Sequence, residues 1–205
     1  MRLASKASST RKFAATPGLF CQITQPEGKD YIAVPRVSSE RREYVPIGFL
    51  TAETKVTDLL QIIPEATLYH FGVLTSRMHN AWMRAVCGRL KSDYRYSKDI
   101  VYNNFIWPGG GGFVETALPP QEEIAAAAQA ILDVRKKYLD ADPACTLAIL
   151  YNPETMPPDL LKAHQHLDAL VDKAYGWPTD LSEPEIVSRL FDIYAKLTRS
   201  AVKVV

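Results

Sequence analysis

A chain of 205 residues, 47% hydrophobic and 23% charged, has the composition of an ordinary globular protein and room for one domain or two small ones. A formal net charge of +1 excludes a uniformly basic nucleic-acid binder. No apolar run approaches the ~18 residues that span a membrane, and three scattered cysteines (Cys21, Cys87, Cys145) suit neither a disulfide framework nor a zinc module, which together point to the cytoplasm.

Residues 1–17 are basic and rich in Ser, Thr and Ala, without the apolar segment of a signal peptide, and read either as a helix that packs on another part or as a frayed leader, the second reading being favoured for Met1 to Ser9. Gly18 to Thr24 and Asp30 to Pro35 read as strands joined by Gln25-Pro26-Glu27-Gly28, a turn sequence that implies a hairpin. Arg36-Val-Ser-Ser-Glu-Arg-Arg-Glu43 is a donor-rich loop in which Arg36, Arg41 and Arg42 can hold phosphates, with a solvated hairpin tip as the plainer alternative. Tyr44 to Leu50 reads as a strand, confined to an edge or bulge by Pro46. Val56 to Ile63 has the spacing of a short amphipathic helix stopped by Pro64, and Tyr69 to Leu74 reads as a second.

A further helix follows, capped by Thr75 or Ser76, with Met78, Ala81, Trp82, Ala85, Val86 and Cys87 on one face. Arg77, Arg84, Arg89, Lys91, Arg95 and Lys98 are interleaved with this stretch and its continuation, against a single Asp93, for a net +5 over residues 77–98. Residues 1–116 hold 15 Lys or Arg and 10 Asp or Glu, whereas residues 117–205 hold 9 and 13, so the first part is the candidate for a polyanion. Alternation in Arg89 to Tyr96 and in Ile100 to Tyr102 predicts extended structure.

Trp107-Pro-Gly-Gly-Gly-Gly112 breaks the pattern, and residues 109–119 read as a hinge between domains at 18–108 and 120–205. The second part reads as a helical bundle. A first helix starts at Pro119-Pro120 with acids in its first turn, buries Ile124, Ala127, Ala128, Ile131, Val134 and Tyr138, and closes on Arg135-Lys136-Lys137. A second runs from Pro158 to Tyr175 with Gly176 beyond it. A third begins at Ser182 with Glu185 three residues on, and buries Ile186, Leu190, Phe191, Tyr194 and Leu197. The fold class expected is therefore α+β: a small mixed domain followed by a C-terminal helical bundle.

Three blocks carry a resemblance. VPRVSSERREYVPIGFL (34–50) and HFGVLTSRMHNAWMRAVCGRLKSDYRYSKDIVYNNFIWP (70–108) resemble the target-recognition region of the MmeI-like restriction–modification enzymes, and LYNPETMPPDLLKAHQHLDALVDKAYG (150–176) resembles their helical tail. The resemblance implies a part of a longer enzyme that directs an adenine methyltransferase and a nuclease to a shared duplex DNA target. It also implies that S-adenosylmethionine and magnesium belong to other parts, with none in this chain.

Lys91 and Asp93 have the clearest chemical reading. Two apart in an extended segment, they would face the same way, Lys donating to guanine O6 and N7 and Asp accepting from the N4 amine of cytosine. Positions matching them in the family look like specificity determinants; the plainer alternative is a surface ion pair with Arg89 or Arg95. Arg77, Arg84, Arg89, Arg95 and Lys98 are expected on phosphates, or else as a solvated helix face. Tyr151-Asn152-Pro153-Glu154 departs from the Asn-Pro-Pro-Tyr of adenine methyltransferases and reads as a turn. His164 and His166 point apart on a helix, Asp168, Asp172, Asp140 and Asp142 read as solvated, and no catalytic residue is assigned. Two other functions stay open: a module that docks on a methyltransferase or nuclease subunit, and an enzyme with an unrecognised site.

Overall fold

The computed structural model describes residues 2–16, 18, 25, 27–109 and 121–202, with side chains to 199. The expected strand at Gly18 to Thr24 beyond its first residue, most of the hinge, the Pro119-Pro120 helix start and Cys21 lie outside the described residues. A 3₁₀ turn at Arg2–Ala4 and helix α1 (Ser8–Lys12) occupy the N-terminal stretch with no buried residue.

Among the described residues, two three-stranded antiparallel sheets follow. The first has the order β3 (Gly48–Leu50), β1 (Tyr31–Pro35), β4 (Leu60–Pro64). Tyr31, Ile32, Ala33 and Val34 are all buried in the central strand. The register is Tyr31↔Pro64 through Pro35↔Leu60 on one side and Tyr31↔Leu50 to Ala33↔Gly48 on the other. β4 corrects the helix expected over Val56 to Ile63. The apolar spacing fits a helix in isolation, but β1 offers a free edge to pair with, and β-branched Ile62 and Ile63 suit a strand. The strand expected over Tyr44 to Leu50 shortens to its last three residues. The second sheet has the order β2 (Val37–Ser38), β6 (Asp93–Arg95), β5 (Gly88–Leu90).

Helices α2 (Leu68–Thr75) and α3 (Arg77–Val86) lie between these strands in sequence. Thr67 and His70 cap α2 reciprocally, and Ser76 caps α3 by accepting the His79 N–H at 3.4 Å. Met78, Ala81 and Trp82 are buried on α3, whereas Ala85 is exposed. After β6 the chain makes a helical turn at Lys98–Tyr102, closed by the Asn103 N–H on the Lys98 carbonyl at 2.8 Å. This corrects the extended reading of Ile100 to Tyr102. One turn puts Val101 at zero exposure, where its carbonyl takes the Trp82 indole N–H at 3.0 Å.

The remainder is helical: α4 (Gln121–Ala141), a short α5 (Leu147–Leu150) that the sequence pattern does not signal, α6 (Pro158–Ala174) and α7 (Glu183–Val202). Gly176 ends α6 at φ +69°, and the Gly176 and Trp177 N–H groups bond the Lys173 and Asp172 carbonyls at 2.9 and 3.0 Å. That pair is a Schellman motif, in which a glycine without a Cβ takes the left-handed position. At α7, the Ser182 N–H donates to Glu185 at 2.8 Å, as the capping box requires. Ile186 and Leu190 are buried on α7, but Phe191 is 44% exposed, its ring resting against Trp82 at 5.2 Å.

The two halves share one hydrophobic core that runs from Ile32 to Ile193. α2 approaches α4 so closely that a Cβ on Gly72 would stand 2.8 Å from Ile124 Cγ2 and 3.2 Å from the Ile124 carbonyl. Glycine at this position is a packing requirement.

Arg135 is buried in mid-α4, which corrects its expected place at an exposed helix end. Its guanidinium donates to the Tyr151 hydroxyl at 2.6 Å and to the Ile47 carbonyl at 2.7 Å, and Tyr151 in turn meets His164 Nε2 at 2.7 Å. Burial and the Arg135 charge hold His164 well below the usual histidine range, so it is neutral. Removing Arg135 would take the guanidinium donor from the Ile47 carbonyl and leave the Tyr151 hydroxyl with His164 as its partner.

Candidate nucleic-acid interface

β5 and β6 form a hairpin whose register, Gly88↔Arg95, Arg89↔Tyr94 and Leu90↔Asp93, leaves Lys91 and Ser92 as a two-residue turn. Lys91 sits at φ +57°, the left-handed region that hairpin turns need at a central residue and that glycine or asparagine usually fills. Directly opposed residues share a face of an antiparallel pair. Arg89 and Tyr94 share the inner face, with the guanidinium 4.0 Å from the ring centroid and Tyr94 buried. The other face carries Leu90, Asp93 and Arg95, with Gly88 leaving open space opposite Arg95.

This arrangement changes the geometric premise for Lys91 and Asp93. They do not project together from one strand, because a turn separates them: Lys91 is at the tip and Asp93 at the start of β6. The residue that shares a face with Asp93 two positions along is Arg95.

The cations of the basic run divide sharply. Lys91, Arg95 and Arg42 have no side-chain hydrogen bond or ion pair among the described residues, and Lys91 and Arg95 are exposed. Lys98 is exposed, and its one ion pair among the described residues is with its neighbour Asp99, at 3.1 Å. Arg89 bonds the Ser92 carbonyl at 2.8 Å, bracing the turn, and lies 3.8 Å from Glu40. The Glu40 N–H reaches Asp93 Oδ1 at 3.4 Å, which joins the 36–43 loop to the hairpin. Arg36 donates to the Asp58 carbonyl at 2.8 Å and stands 3.6 Å from the Asp58 carboxylate. Arg41 is exposed and paired with Glu154 of the helical part.

Arg77 and Arg84 are turned the other way. Arg77 donates to Asp172 at 2.7 Å and to the Leu181 and Thr179 carbonyls at 3.0 and 3.2 Å. Arg84 grips Glu183 through two bonds of 2.7 Å and donates to the Glu43 carbonyl at 2.9 Å. Both guanidiniums are thus paired with carboxylates of the helical part. These partners lie about a hundred residues away in the sequence, a bracing contact beside the phosphate contact expected of both residues.

Asp168 and Asp172 are likewise buried at this junction, where solvated helix ends were expected. Asp168 accepts the Arg77 backbone N–H at 2.6 Å and the Tyr44 hydroxyl at 2.7 Å, and burial raises its carboxyl to about 7 against the pull of those hydrogen bonds. Burial also lowers His79, which touches the Tyr96 hydroxyl at 3.1 Å, to about 3, so its ring is neutral. Among the described residues no three His, Cys, Asp or Glu side chains form a group that could hold a metal ion. Within the same residues, no helix is long and apolar enough to cross a membrane.

Fold and surface together define a recognition module: a small mixed domain that presents an exposed hairpin and is braced from behind by helices. Residues 1–109 match the family described as "MmeI, target recognition domain", and residues 119–202 match "MmeI, C-terminal domain". The chain belongs to the MmeI target-recognition family. It is 40% identical over 194 residues to DNA methyltransferase A of Bacillus subtilis (strain 168), an alignment that covers 95% of this chain and 21% of that protein. It is also similar to a solved structure of the type IIL restriction–modification enzyme MmeI in complex with DNA, with a TM-score of 0.84 and 42% identity over 97% of this chain and 25% of the other. The chain therefore spans a quarter or less of the length of these relatives.

Proposed function

We propose that the chain binds duplex DNA in a sequence-dependent manner and serves as the target-recognition part of a restriction–modification methyltransferase and endonuclease. The observation that carries this reading is the outer face of the β5–β6 hairpin, where Lys91 and Arg95, without side-chain partners among the described residues, flank Asp93. The tip of the hairpin, beyond the pairing of β2 with Tyr94 and Arg95, is a two-stranded ribbon of the kind that fits the major groove, about 12 Å wide, where these groups would meet base edges. Lys91, on a flexible stem at the tip, donates to guanine; Asp93 accepts from the amine of its partner cytosine; discrimination is worth roughly 1–3 kcal/mol. Arg95 shares the Asp93 face. Arg42 and Lys98, with Arg36, Arg41 and Arg89 after rearrangement of their exposed pairs, supply phosphate contacts that position the module without reading sequence.

Methyl transfer, cleavage, S-adenosylmethionine and magnesium are assigned to parts of such an enzyme outside the matched region, and the compartment is the cytoplasm. The test is fluorescence anisotropy of the chain with duplex DNA at about 50 and about 200 mM salt. Steep weakening with salt supports the reading. Absent or salt-indifferent binding overturns it and favours docking on a methyltransferase subunit.

A further inference from the structure

Helix α3 is gripped at both ends by the C-terminal helices. At its start, Asp168 from α6 accepts the Arg77 backbone N–H at 2.6 Å, so a carboxylate from another helix joins Ser76 in satisfying the first turn. The other Asp168 oxygen takes the Tyr44 hydroxyl at 2.7 Å, and Tyr44 lies on the His164 ring with centroids 4.2 Å apart. The Arg77 guanidinium then closes on Asp172 at 2.7 Å. Toward its end, Arg84 is held by both oxygens of Glu183, in the first turn of α7.

No linker separates this helix from the hairpin. The Cys87 N–H bonds the Met83 carbonyl at 2.9 Å, and Gly88 opens β5. Two further bonds tie α3 to the strand leaving the hairpin and to the turn after it: His79 with the Tyr96 hydroxyl at 3.1 Å, and Trp82 with the Val101 carbonyl at 3.0 Å. A rotation of α3 must therefore move Lys91, Asp93 and Arg95 with it. Base-edge hydrogen bonds tolerate only a few tenths of an ångström, whereas phosphate attraction does not depend on fine geometry.

We propose that Asp168 and Glu183, both from the helical C-terminal part, are positioning residues for base reading: they fix the angle at which α3 delivers the β5–β6 hairpin to DNA. The proposal rests on the DNA-binding reading given above. It assigns the C-terminal part a share in sequence discrimination without any contact to a base.

The test compares wild type with Asp168→Ala, Asp168→Asn and Glu183→Gln in the whole chain. Anisotropy is measured on the preferred duplex, chosen from a library, and on a scrambled duplex of equal length, with thermal unfolding to establish the folded fraction. Asp168→Ala and Glu183→Gln should lower the preferred-to-scrambled affinity ratio about tenfold, the equivalent of losing one base contact, while scrambled affinity and salt slope hold within about twofold. Asp168→Asn keeps an oxygen for the Arg77 N–H and should restore most of the ratio. A merely structural role would instead lower both affinities together, in proportion to the folded fraction. If Asp168→Ala does not fold, Glu183→Gln decides, because Glu183 is 42% exposed and keeps its shape. An unchanged ratio, or an equal loss on both duplexes, overturns the proposal alone. Failure of wild type to bind either duplex removes the DNA reading, and the positioning role with it.

Discussion

The β5–β6 hairpin and helix α3 come from one continuous basic stretch, yet their cations have opposite surroundings. Arg77 and Arg84 are 27% and 15% exposed and paired with carboxylates of the helical part, whereas Lys91 and Arg95 are exposed without side-chain partners among the described residues. Net charge along a sequence therefore says little about which cations face a ligand. Committed donors and acceptors decide it, and that depends on partners far away in the chain.

The comparison can be broken most strongly at the junction. Arg77→Ala would leave Asp172, 2% exposed, without its counter-charge, and should cost about 3 kcal/mol of unfolding free energy in urea. A loss under about 1 kcal/mol would mean the pair is a passive surface contact. Gly72→Ala should also destabilise, by about 1–3 kcal/mol, because the added methyl meets Ile124 at 2.8 Å and the backbone behind it cannot yield easily. Gly72→Ala leaves both the hairpin and the contacts that hold α3 unchanged, so any binding loss there should follow the folded fraction.

Hairpin substitutions should behave in the reverse sense. Lys91→Glu is expected to leave stability within about 0.5 kcal/mol and to lower DNA affinity at least tenfold. Lys91→Gly sharpens the contrast further: relief of φ +57° should raise stability by up to about 1 kcal/mol while preference at one base pair is lost. Thermal unfolding beside anisotropy separates the two effects.

The smallest expected effect is on pH. The Asp168 carboxyl is raised to about 7 in the fold, above its usual 3.8, so the folded chain binds the proton more tightly than the unfolded one. Its contribution is fully present below about pH 4 and is lost as pH rises through about 7. Wild type should therefore gain stability relative to Asp168→Asn as pH falls from about 7.5 to about 5. A constant difference across that range would show that Asp168 ionises normally.

Much of the helical architecture is legible without coordinates, because it depends on near neighbours. Ser76 before α3, Gly176 after α6 and the Ser182–Glu185 pair before α7 each act within a few residues, and each occurs where expected. β4 was not legible, since Val56 to Ile63 satisfies helical spacing and only the free edge of β1 makes it a strand. The hairpin turn was hidden for a related reason: Lys91 occupies a position where glycine or asparagine would have announced it. Least legible were the junction carboxylates and Arg135. A charge 95 residues from its partner, as in Arg77 and Asp172, leaves no local pattern, and it takes the fold to distinguish a bracing arginine from one that awaits a ligand.

The most direct test of the hairpin as reading head is the base preference of a Lys91→Glu, Asp93→Arg double variant on a duplex library, measured beside wild type and Arg84→Gln. The account predicts that the double variant exchanges its preference at one base pair while the salt dependence changes little, and that Arg84→Gln weakens discrimination without altering which base is preferred. An unchanged preference in the double variant, or a new preference in Arg84→Gln, would contradict it and return the reading function to the helix.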